Sequence, residues 1–170
     1  MNRKEAPSKT VKTDLPPNLG ELDEPQTGRT ATALSCFNNG FNCAQAVLSA
    51  FGPSLGLDRE AALRVAGAFG AGMGRLGGTC GAVTGAMMVL GLKYGKTRPE
   101  DNDTRDKCYQ LVQELMKRFE SSSGTLVCRE LLDCDLSTPE GYRFALDHKL
   151  FKLVCPKFVR AAVEITEDLL

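Results

Sequence analysis

The chain of 170 residues is 42% hydrophobic and 25% charged, the makeup of an ordinary globule with apolar material enough for a core. Lysine plus arginine equals aspartate plus glutamate at 21 each, so no basic field points to nucleic acid or an anionic membrane. Tryptophan is absent and aromatics make up 6%, which leaves no evident platform for stacking bases.

The first residues, MNRKEAPSKT, are positively charged, but no apolar stretch follows them, so a secretory leader is not expected. The longest apolar run, within Gly85 to Leu92, falls far short of the roughly 20 residues that span a bilayer. The chain therefore reads as soluble and cytoplasmic, without membrane insertion. In a reducing compartment, seven cysteines point to thiol chemistry or metal binding rather than to a static disulfide framework.

Residues 1–27 contain Pro7, Pro16, Pro17 and Pro25, charges of both signs and no hydrophobic period, and are expected to form a flexible arm. Residues 28–170 read as one all-α domain, a compact bundle of about seven or eight helices, because no segment alternates as a strand. A first helix, Arg29 to Phe37, stops at Asn38, Asn39 and Gly40. Asn42 caps a second, Cys43 to Phe51, ended by Gly52 and Pro53, and Asp58 caps a third running to about Phe69. A connection rich in glycine (Gly70, Gly72, Gly74, Gly77 and Gly78) follows.

The segment GGTCGAVTGAMMVLGLKYG, from Gly77 to Gly95, is the most informative in the chain. Thr79 is expected to cap a helix whose first residue is Cys80. Glycine inside a helix costs about 1 kcal/mol relative to alanine, so Gly81 and Gly85 call for a compensating close approach of another backbone. Asp101 or Asp103 then starts a long amphipathic helix to about Phe119, with Cys108, Leu111 and Leu115 at helical spacing. Ser121 to Gly124 reads as a loop and Thr125 to Leu132 as a short helix. Thr138 and Pro139 open the next helix, and Pro156, after Cys155, opens the last, which runs to about Asp168.

On this reading Cys43, Cys80, Cys128 and Cys155 each lie at or near a helix N-terminus, where the helix dipole favours thiolate. The effect is small: about 0.3 to 1 kcal/mol, which moves a thiol from about 8.5 to about 8. Converging helix ends, a metal, or a cation such as Arg75 or Lys157 would have to supply the rest. Cys36 and Cys108 fall inside helices and read as small core residues. Cys134 is flanked by Asp133 and Asp135, which disfavour its thiolate.

Cys43, CGAVTG at Cys80 to Gly85, Cys128 and Cys155, in that order, resemble the C_GCAxxG_C_C family, proteins proposed to be redox-active and defined by four cysteines with a CGAxxG motif. The settings FNCAQAVLSAFG at Phe41 to Gly52, LVCRELL at Leu126 to Leu132 and VCPKFV at Val154 to Val159 extend the resemblance over about Thr30 to Ala162. It assigns the family's four cysteines to the four positions that the helix-start argument selects.

Three functions follow as expectations. The first is thiol/disulfide or electron-transfer chemistry on Cys43, Cys80, Cys128 and Cys155, in the manner of a thiol-based oxidoreductase with an unidentified redox protein or small molecule as partner. Cys43 with Cys80 is the first choice of working pair, although four cysteines permit three pairings. The second is a zinc or iron-sulfur site on the same four sulfurs, against which stands the absence of any CxxC half-site. The third is a non-catalytic binding role. The sequence GMGRLG, Gly72 to Gly77, matches GxGxxG but follows a helix, not a strand, which argues against a dinucleotide site. The sole histidine, His148, reads as a solvated or capping residue.

Overall fold

The computed structural model describes residues 28–170. The expected arm at 1–27 lies outside the described residues. Nine helices form there: α1 Arg29–Asn38, α2 Cys43–Phe51, α3 Arg59–Ala66, α4 Gly81–Tyr94, α5 Asn102–Ser123, α6 Cys128–Leu131, α7 Pro139–Asp147, α8 Leu150–Leu153 and α9 Cys155–Leu169. Seven of these run eight residues or more, so the all-α bundle is as expected. Among the described residues there is no strand, only an isolated antiparallel bridge between Thr79 and Val127.

The helix starts follow from capping chemistry. The Asn42 side chain accepts from the Gln45 N–H at 3.0 Å while the Gln45 side chain accepts from the Asn42 N–H at 2.9 Å, a reciprocal box that satisfies two otherwise unpaired donors. Asp58, Asp101 and Thr138 accept from the first turns of α3, α5 and α7 in the same way.

Four expected boundaries move, the first being the short helix expected over Thr125 to Leu132, which forms only over Cys128–Leu131 because Val127 is extended in the bridge with Thr79. The third helix gives way after Ala66 to a 3₁₀ turn over Gly67–Phe69. Helix α5 continues through Ser121 to Ser123 and stops at Gly124, whose φ of 88° suits glycine. Cys80, not Thr79, is the N-cap of α4, because Thr79 is held in the bridge to Val127 and the helix begins one residue later.

Helix α2 is the hub, packing against α1, α3, α4 and α9. Val47, Leu48 and Phe51 of α2 meet Val83, Val89 and Leu90 of α4, Leu115 and Phe119 of α5, and Val159 and Val163 of α9 in one core. Helix α4 is apolar nearly all round, which suits a helix buried on several sides. Its contact with α2 is unusually close. A Cβ on Gly81 would lie 3.0 Å from the Phe69 carbonyl oxygen and 3.2 Å from the Ala44 nitrogen; one on Gly85 would lie 2.8 Å from the Ala44 carbonyl oxygen. The two glycines of CGAVTG thus admit the backbone of α2, the close approach that their helical cost called for.

Candidate functional site: four buried thiols, three of them lining a cleft

Four helix starts bring four thiols to one end of the bundle. Cys43 is the first residue of α2, Cys128 of the short α6 and Cys155 of α9, while Cys80 is the N-cap of α4. The glycines of α4 press its start against that of α2, so a Cβ on Gly81 would also lie 3.2 Å from the Cβ of Cys43. Cys128 is placed by the bridge: the Cys80 N–H donates to the Leu126 carbonyl at 2.8 Å and the Cys128 N–H to that of Gly78 at 2.7 Å. Side chains alternate faces along such a pair, so Cys80 and Cys128, each one residue beyond the bridged Thr79 and Val127, project to the same side.

The glycine-rich connection has a different role from phosphate binding. Five successive residues, Ala71 to Arg75, have φ of 53°, 70°, 67°, 67° and 71°, forming a left-handed turn in which three non-glycine residues sit at about 1–2 kcal/mol of cost each. The Gly74 N–H donates to the Gly70 carbonyl at 2.9 Å across this turn. Gly72 lies within it against Cys128, whose Cβ would be 2.7 Å from any Cβ placed there. Arg129, which the sequence reading did not single out, fastens the end of the connection, with its guanidinium donating to the Leu76 carbonyl at 2.7 Å and to that of Gly77 at 3.2 Å.

All seven cysteines are free thiols. Cys43, Cys128 and Cys155 line an open cleft of about 900 Å³, and Cys80 lies behind them. All four are recessed, with exposures of 8%, 3%, 6% and 4% for Cys43, Cys80, Cys128 and Cys155. Cys36 and Cys108 are core thiols, the first accepting from the Ser49 hydroxyl at 3.4 Å. Cys134 is half-buried beside the Gly141 carbonyl, away from the cluster, and burial followed by Asp135 and Asp133 pushes its thiol up.

The small lowering expected of a helix start is outweighed for three of these thiols. Contact with the Cys155 thiol, and then burial, hold Cys43 well above the ordinary thiol value. Cys80 is pushed up to about 12, first by burial and then by Cys43, against the smaller opposing pull of the Ala82 and Val83 N–H groups. Cys128 is raised by burial, then by Cys80 and Cys43. The reason is one of size: a helix end is worth under about 1 kcal/mol, whereas taking a thiolate out of water costs several times that. At neutral pH these are thiols.

Of the two candidate cations, Arg75 stands at the cleft, its guanidinium 4.0 Å from the centroid of the Tyr142 ring, while Lys157 lies over Phe158 outside it. Lys152, which the sequence did not flag, also lines the cleft. His148 is exposed, with Nδ1 at 2.9 Å from the Phe144 carbonyl, in keeping with a capping role. No group of three or more His, Cys, Asp or Glu side chains among the described residues is arranged to hold a metal ion. No helix among them is long and apolar enough to cross a membrane.

Fold and site together define an all-α protein with four thiols gathered from helix starts beneath one cleft. The family model described as "Putative redox-active protein (C_GCAxxG_C_C)" matches residues 41–169, and the chain belongs to that family. No curated protein and no solved structure matches the chain.

Proposed function

We propose that the protein carries out dithiol/disulfide exchange, with Cys43 and Cys155 as the exchanging pair. The observation that carries this reading is the meeting of these two thiols, from the starts of two different helices, on the floor of an open cleft. It replaces Cys43 with Cys80 as first choice, because Cys80 does not reach the cleft wall. In the exchange Cys43 gives up its proton and attacks one sulfur of a partner disulfide; that S–S bond breaks, and the first partner thiolate leaves and is protonated. Cys155 then loses its proton and attacks the Cys43 sulfur, forming the protein disulfide and releasing the second partner thiol. Two protein thiols are oxidised by two electrons, one disulfide is reduced to two thiols, and both protons go to the leaving groups.

Titrating the anaerobically purified full chain with a small disulfide tests this, read by intact mass and peptide mapping, with zinc and iron measured on the same sample. The expected product is an intramolecular disulfide linking Cys43 to Cys155, reversed by a dithiol. Cys155→Ser should stop at a mixed disulfide on Cys43, whereas Cys36→Ser, Cys108→Ser and Cys134→Ser should behave as the parent. A link from Cys43 to Cys80 would reassign the pair, and a chain that forms no reversible disulfide would end the proposal. Stoichiometric zinc or iron released only on oxidation would favour the four-cysteine metal site instead.

A further inference from the structure

The walls of the cleft identify the kind of disulfide that fits. Four half-buried rings, Phe37, Phe41, Tyr142 and Phe151, supply apolar surface, and the two charged residues on the lining, Arg75 and Lys152, are both cations. No aspartate or glutamate lines it. Neither cation makes an ion pair among the described residues: the six ion pairs there belong to Arg29, Arg64, Arg105, Arg118 and Arg160. Arg75 is instead poised by stacking on Tyr142, which leaves its N–H donors free for an anion, and carboxylate is the group that an arginine fork matches.

Access narrows the choice further. Cys43 and Cys155 are 8% and 4% exposed on the lining of the cleft, so a disulfide has to enter the cleft to meet them. A cleft of about 900 Å³ is of the size that takes a small molecule.

Resting on the exchange reading above, we infer that the substrate is a low-molecular-weight disulfide carrying carboxylates, drawn in by Arg75 and Lys152 and presented sulfur-first to Cys43. The ligand's S–S bond is the oxidant. It is cleaved to two carboxylate-bearing thiols while Cys43 and Cys155 become the protein disulfide.

Three small symmetric disulfides of similar size separate charge from chemistry: dithiodiglycolate, anionic; hydroxyethyl disulfide, neutral; and cystamine, cationic. Each rate of protein disulfide formation is divided by that of the same reagent with a free reference thiol, which removes differences in intrinsic reactivity. The normalised rate for dithiodiglycolate should exceed that for hydroxyethyl disulfide roughly tenfold, with cystamine slowest. High salt, or the double variant Arg75→Gln and Lys152→Gln, should bring the three together. If all three form the disulfide at equal normalised rates, or cystamine leads, or the order survives in the double variant, the anionic substrate is excluded while the exchange reading stands. If none forms the protein disulfide, the exchange reading fails and this inference with it.

Discussion

Gly85→Ala lowers the free energy of unfolding by about 2 kcal/mol, whereas Gly91→Ala, further along the same helix, raises it by up to about 1 kcal/mol. On helix propensity alone both changes would stabilise, because each replaces the residue least suited to a helix interior, proline apart, with the best. What separates them is space. The new Cβ at Gly85 would lie 2.8 Å from the Ala44 carbonyl oxygen, 3.0 Å from the Ala44 Cα and 3.1 Å from the Val47 Cβ. Two of those atoms belong to the backbone of α2, which cannot swing aside as a side chain can. At Gly91 nothing lies within 4 Å and the residue is exposed. Urea denaturation followed by circular dichroism reads the two shifts in midpoint; a stabilised Gly85→Ala would mean that α2 and α4 stand further apart than described.

The same substitution should reach the thiols. Ala44 adjoins Cys43, so pushing α2 away from α4 moves the first turn that positions Cys43 against Cys155. The spacing of the two glycines is thereby explained: four residues apart, they lie on one helix face, the face that meets α2. The motif fixes the distance between two helices as well as placing the Cys80 thiol at the start of one of them.

The all-α architecture was legible because its signals are local. Asn42, Asp58, Asp101 and Thr138 each cap through a side chain that reaches only two or three residues ahead. Choosing Cys43, Cys80, Cys128 and Cys155 out of seven needed no more than the expected positions of helix starts, and all four stand at helix starts in the fold. What the sequence hid is non-local. Three left-handed residues without glycine's freedom, Ala71, Met73 and Arg75, are held by hydrogen bonds across the turn, and Gly72 between them packs on Cys128. Arg129 reaches back to Leu76 and Gly77, far away in the chain. Lys152 and Tyr142 join Arg75 at the cleft only once α7 and α8 have docked. The raising of three thiols was hidden for the same reason, since a helix dipole can be read from neighbours in sequence but burial cannot.

That burial gives the protein an alkaline weakness. Cys80 holds its proton up to about 12 in the folded chain, while in the unfolded chain it releases it near the ordinary thiol value. Below that ordinary value both states are protonated and the buried thiol's contribution to stability is fully present. As pH rises, the unfolded state ionises first and stability drains away until the folded thiol ionises as well. The loss is about 1.4 kcal/mol per pH unit, so between pH 9 and 12 Cys80 alone removes about 4 kcal/mol, a large part of the roughly 5–15 kcal/mol by which domains are stable. Cys43 and Cys128, raised in the same direction, steepen the fall. Tyrosines and lysines titrate in this range too, so the informative quantity is the difference between the parent and Cys80→Ala, measured by urea denaturation at a series of pH values under reducing conditions. The two stability curves should converge as pH climbs from 9 towards 12. Parallel curves would mean that Cys80 is not shielded from water. Exchange obeys the same constraint, because only the thiolate attacks: the rate at Cys43 should keep rising well above pH 9 instead of levelling near 8, as that of a helix-start thiolate in water would.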